Sequence, residues 1–245
     1  MPRIPLIEDL TKEPIPLGSN LLVEFDPASQ WYNASFTIAA GWIRSGGVSS
    51  YNVYDQPPEN VRLRLKRLGL DIEAFEKEGK FRILDWYTFQ LGQKSQEKYA
   101  ETSLKVADQS IIAKQTLLAT GTRSPYPGTD YHLGPDVLRI GDCEVSVYLR
   151  FNDEKSYIDY WRTREIPVGA ATKSTEILGA VKGIHSEYLY KSIEASADGI
   201  IDFKFDDSGE EPKNLMRIRA MRNVGFDGRW HQLKTDDRFE VALEK

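Results

Sequence analysis

Short apolar runs alternate with stretches of helical spacing along most of this chain. Leu21, Leu22, Val23 and Phe25 form a run that reads as a buried strand. Asp26 and Pro27 break it, and residues 33–40 read as a helix with Ala34, Ile38 and Gly41 on one face. Residues 49–54 (SSYNVY) read as a second strand. Pro57, Pro58 and Glu59 then open a helix through Leu68, with Val61, Leu65 and Leu68 on one side. A short helix over residues 71–80 leads to a third strand, residues 81–85, that ends in Asp85. A fourth strand over 136–140 runs into Gly141 and Asp142. It is followed by an amphipathic helix over 153–165 carrying Tyr157, Ile158 and Trp161, a fifth strand over 175–181 and a helix over 185–197.

The tail changes character. Residues 199–205 and 215–221 flank the acidic turn DDSGEEPKN as an antiparallel hairpin, and residues 239–243 read as a last edge strand. Residues 1–17 form a Pro-rich approach with room for one helical turn. Between Trp86 and Pro135 the pattern weakens: residues 103–119 keep helical spacing, and RSPYPGTDYHLGP is a long Pro/Gly loop. The alternation predicts an α/β fold, a mostly parallel sheet covered by helices, with a C-terminal antiparallel extension.

Composition narrows the function classes. With 245 residues and 40% hydrophobic content, the chain is long enough for one sizeable core, read as a single domain over 1–245. A formal net charge of -5 weighs against a dedicated nucleic-acid binder. The cluster Arg62, Arg64, Lys66 and Arg67 is read as a solvated helix face rather than a nucleic-acid patch. A single cysteine, Cys143, fits a reducing compartment and is read as structural. No apolar run approaches the ~20 residues that span a bilayer, and the acidic, Pro-bearing N-terminus is not a signal peptide. The expectation is a cytoplasmic protein without membrane partners. His132, His185 and His231 lack ligand-type spacing, so no metal site is expected from them.

Strand, tight turn and helix at residues 21–40 is the setting of a phosphate loop, in which glycine N–H groups and a lysine close on phosphates. Here the turn reads FDPASQWY, with no glycine and no lysine, and with Trp31 and Tyr32 where the lysine and hydroxyl would sit.

Over nearly its whole length the chain resembles the KaiC-like branch of the RecA superfamily of ATPases, most closely its single-domain archaeal members. IPLGSNLLVEFDP resembles that family's opening strand, with Ile15, Pro16, Gly18 and Pro27 in place. YNVYDQPPENVRLRLKRLGLDIEAFEKEGKFRILD is similar to its next strand–helix–helix–strand. ASADGIIDFKF and LMRIRAMRNVGFDGRWH resemble its closing hairpin. The resemblance implies a RecA-like three-layer fold.

It also implies where working parts would lie. The phosphate-loop positions fall on Phe25, Ala28, Gln30, Trp31 and Tyr32, within a degenerate loop of Pro27, Ala28, Ser29, Gln30, Trp31 and Tyr32. The water-polarising glutamate pair falls on Asp55 and Gln56. The magnesium-orienting aspartate is retained as Asp142, preceded by Gly141 instead of an apolar residue. Three neighbour-facing groups fall on Ala220, Arg222 and Phe226, so Arg222 is the candidate at a subunit boundary, or else pairs with the DDSGEE turn.

These coincident losses remove most donors that would stabilise phosphoryl-transfer charge. The expectation is therefore a pseudo-ATPase with no cofactor, forming homo-oligomers and acting through an unidentified protein partner in regulation or signalling. Alternatives are ATP and magnesium held in a non-standard site by Asp55, Asp142 and Arg222, and a RecA-type DNA-binding protein. Asp142 alone as a metal ligand, and Asp55 as a general base, are the weaker readings of those residues beside a solvated strand end and a turn-forming carboxylate. Trp31 and Tyr32 are expected to fill the vacated pocket rather than to stack on a base.

Overall fold

Every residue of β1 (Asn20–Phe25) is buried, because the strand lies near the middle of a ten-stranded sheet. The sheet is formed by the described residues, 2–100, 103–108 and 134–244 of this computed structural model. In chain order β1 is followed by α1 (Trp31–Arg44), β2 (Val48–Val53), α2 (Pro58–Arg67), α3 (Ile72–Lys77) and β3 (Phe81–Asp85). A single turn, α4 (Tyr87–Gln90), leads to β4 (Tyr99–Ala100), β5 (Val137–Gly141), α5 (Glu144–Tyr148) and α6 (Glu154–Tyr160). After a π-helical turn (Trp161–Glu165) come α7 (Ile166–Thr172), β6 (Thr175–Val181) and α8 (Glu187–Glu194). The chain closes with β7 (Gly199–Asp206), β8 (Lys213–Met221), β9 (His231–Thr235) and β10 (Val241–Leu243).

The sheet order is β10-β9-β8-β7-β1-β6-β5-β2-β3-β4. Strands β7 through β4 in that order pair in parallel, and β8, β9 and β10 extend the sheet antiparallel. Parallel strands covered on both faces explain why the apolar residues of these segments cluster instead of alternating with polar ones. The expected architecture is present, including the antiparallel C-terminal extension. No helix among the described residues is long and apolar enough to cross a membrane.

Several boundaries differ from the sequence expectation, each for a physical reason. α1 begins at Trp31 rather than residue 33, because the Trp31 ring is drawn into the core; its end at Arg44, before the stop at Gly46 and Gly47, is where the sequence places it. The helix expected over 153–165 stops being α-helical after Tyr160, widens into the π turn and resumes as α7. Pro167 supplies the cause: it has no N–H, and its ring excludes the carbonyl four residues earlier from α geometry. The last edge strand starts at Val241, since Phe239 takes a left-handed φ of 67° that no strand admits.

Strand β9 was not foreseen; its sequence HQLKT holds one buried residue, Leu233. Most of the helix expected over 103–119, and most of the following Pro/Gly loop, lie outside the described residues. The N-terminal approach is more than a lead-in. Ile4, Leu6, Ile7 and Leu10 are buried, and Lys12 and Leu10 bond to Gly225 and Asp227 in the C-terminal region.

Candidate functional site

The carboxyl ends of β1, β2 and β5 meet at one edge of the parallel sheet, where open α/β folds place their ligands. After β1 the turn residues are tied up locally. Asp26 donates its N–H to the Phe203 carbonyl, Ser29 donates to Asp26 O, and Pro27 has no N–H. The Asp26 carboxylate accepts from Phe205 N at 3.3 Å. Gln30 precedes α1 without capping it through its side chain; it accepts instead from Asn33 Nδ2 at 2.7 Å.

Trp31, the first residue of α1, is fully buried. Its ring packs against Phe203 at 5.3 Å and Phe25 at 6.1 Å between centroids. Its indole Nε1 donates to the Asp142 carbonyl at 2.7 Å. This places the indole across the ends of β5 and β6, directly over Gly179. A Cβ at Gly179 would lie 1.8 Å from Asp142 O and 2.9 Å from Trp31 Nε1, so only glycine admits the arrangement. Tyr32, half-buried, sets its ring edge-on to Phe25 at 5.6 Å, and its hydroxyl faces Asp55 and Cys143.

Asp142 is fully buried at the end of β5. Its Oδ1 accepts from Cys143 N at 2.8 Å, and its Oδ2 accepts from Tyr51 OH and Gln56 Nε2, both at 3.3 Å. Tyr51 is held in turn by Ser35 Oγ at 2.7 Å. Burial, and then the nearby charge of Asp55, push the Asp142 carboxyl up to about 7. Ligand atoms of Asp55, Asp142 and Cys143 lie within 4.8 Å of one another, with Asp55 exposed and the other two buried. The fold thus brings together Asp55 and Asp142, which the sequence separates by two strands. The sequence reading found no partner for Cys143; the structure gives it both aspartates and Tyr32. Burial, Asp142 and Asp55 push its thiol well up, the opposite of what activates a cysteine.

Arg222 is not brought to this edge. Its N–H donates to Asp198 O, just before β7 begins, and its Nη2 donates to Ala195 O at 2.6 Å. It therefore sits at the opposite, amino edge of the sheet, where its charge complements the C-terminus of α8. The expected alternative partner, the DDSGEE turn, lies at the other end of β8, so that pairing is corrected.

The basic side chains of α2 are occupied. Arg62 pairs with Glu76 and Glu97, at 2.6 and 2.7 Å, and Lys66 pairs with Glu73 at 2.7 Å. Arg64 bonds Asn33 at 2.8 Å and lies with Arg67 over the Phe239 ring. None of the histidines among the described residues joins a metal-competent cluster; His132 lies outside them. The Gly179 contact was missed by sequence reasoning. Its signal was a glycine in the interior of a strand, TEILGAV, which marks a close approach.

No family model matches the chain. A UPF0273 protein of Aeropyrum pernix is 20% identical over 237 residues, spanning 96% of this chain and 89% of the relative. A KaiC-like protein of the hyperthermophilic archaeon Pyrococcus horikoshii superposes at a TM-score of 0.68 with 17% identity. That likeness covers 100% of this chain and 97% of the other. With the strand order and the antiparallel extension described above, the chain has the KaiC-like form of the RecA fold.

Proposed function

We propose that this chain is a KaiC/RecA-like module without ATP hydrolysis that acts through protein contacts, in a regulatory or signalling role. The observation that carries the reading is the Trp31 indole, buried over Gly179 and bonded to the Asp142 carbonyl. The turn that precedes it offers neither lysine nor glycine, its Asp26 and Ser29 N–H groups are already bonded, and Asp26 adds a negative charge. A triphosphate needs several converging donors, and burying its charge without them is strongly unfavourable. The residues present do not fit magnesium-bound ATP.

Calorimetry with ATP and magnesium on the unmodified protein is the test. No heat of binding is expected at millimolar nucleotide. The competing reading, a non-standard nucleotide site, is favoured by the approach of Asp55 and Asp142. A micromolar affinity lost in Asp142→Asn would establish that reading instead.

The kept β7–β8 hairpin supports self-association. The resemblance to KaiC-like ATPases implies a neighbour-facing role for this region, but here Arg222 turns onto its own α8. A dimer or labile ring is therefore expected rather than a tight hexamer. Light scattering over a concentration series checks this, and a strict monomer at the highest concentration would count against it. The paired side chains of α2 support the absence of a DNA-binding role.

A further inference from the structure

Behind the carboxyl edge, three buried glutamates converge on few cations. Arg139 of β5 reaches Glu165 of the π turn at 2.8 Å and Glu176 of β6 at 2.5 Å. Glu165 also meets Arg164 at 3.4 Å and accepts from Tyr160 OH at 2.5 Å. The third carboxyl, Glu144 at the start of α5, forms no ion pair among the described residues, although it is only 4% exposed. Its strongest electrical neighbours are Glu176 and Glu165. Gly141 makes room for it: a Cβ there would fall 2.4 Å from Glu144 Oε2. This is the same glycine that departs from the apolar residue of the KaiC-like pattern.

Around Glu144 lie two oxygens without a partner. The Tyr54 hydroxyl turns toward Glu144, but the Tyr157 hydroxyl, which feels the Glu144 charge, and Glu176 Oε2 are buried without a hydrogen-bond partner. Each belongs to a residue 1% exposed. Buried polar atoms are rarely left so, and two around one carboxyl point to a missing occupant. Three carboxylates against two guanidiniums leave one negative charge over when all are ionised. A proton on Glu144 would remove that charge but would supply one donor, enough for only one of the Tyr157 hydroxyl and Glu176 Oε2. A single positive ion answers both needs, and an all-oxygen set suits a hard cation. A divalent ion would overshoot the charge.

We propose that Glu144, Tyr54, Tyr157 and Glu176 form a binding site for one monovalent alkali cation. Thermal unfolding in sodium, potassium and tetramethylammonium chloride at equal ionic strength tests it. The midpoint is expected to rise by roughly 5 °C in at least one alkali salt over tetramethylammonium. Glu144→Gln should abolish the difference. Tyr157→Phe, which keeps the ring and so the packing, should raise about tenfold the salt concentration needed for half the shift. Identical midpoints of the unmodified protein in all three salts would overturn the site in favour of a proton or trapped water. Persistence of the shift in Glu144→Gln would overturn it in favour of binding elsewhere.

Discussion

Gly179→Ala is expected to lose at least about 3 kcal/mol of stability, more than a typical overpacking substitution. The added Cβ would stand 1.8 Å from the Asp142 carbonyl oxygen and 2.9 Å from Trp31 Nε1. The nearer contact is backbone, which cannot swing aside as a flexible side chain does. Either β5 and β6 separate or the Trp31 indole leaves its seat. Separation breaks the parallel pairing of Gly141 with Leu178, and expulsion exposes a fully buried ring. Urea denaturation of both proteins measures the loss, and the indole N–H resonance of Trp31 reports which route is taken. A change within about 0.5 kcal/mol, the range of ordinary surface substitutions, would show that this edge is not packed as described.

Trp31→Lys is the second large effect. It restores the lysine of a phosphate loop at its sequence position, yet it is expected to lower stability by roughly 3–5 kcal/mol and to create no ATPase activity. The loss has two sources. The contacts with Phe25 and Phe203 disappear with the ring, and the Asp142 carbonyl loses its indole donor in a buried site. The new ammonium would lie among apolar groups beside a turn that still lacks glycine. Trp31→Phe separates the two sources in part: it keeps an aromatic ring against Phe25 and Phe203 but removes the N–H and trims the indole, for an expected loss of about 2–3 kcal/mol. Measurable hydrolysis by Trp31→Lys with stability retained would sink the proposed reading, because the turn would then have kept its capacity for phosphate.

Much of the fold was legible because local rules sufficed. The run from Leu21 to Phe25, the strand from Phe81 to Asp85 and the strand from Thr175 to Val181 lie within or match the observed strands. Parallel strands buried on both faces leave clustered apolar residues that need no partner to be recognised. Helices such as α2 carry a period of 3.6 and a proline at their start. The composition of the turn after β1 was equally plain, since the absence of glycine and lysine is a property of residues, not of geometry.

Long-range packing decided the rest. Trp31 belongs to the helix, and not to the turn before it, because β5, β6 and β7 close around its ring. Asp55 and Asp142 meet because β2 and β5 are neighbours, though 86 residues separate Gln56 from its bonded partner Asp142. Arg222 turned to the amino edge because β8 runs antiparallel to β7, a pairing that reverses which end of the strand approaches the ligand edge. Nothing in the sequence marks Glu144; only the fold seals it near two further glutamates and the unpartnered Tyr157 hydroxyl. Sequence periodicity reports which face of an element is buried, but it carries no information about which distant element buries it, and the chemistry of this edge lies in those distant contacts.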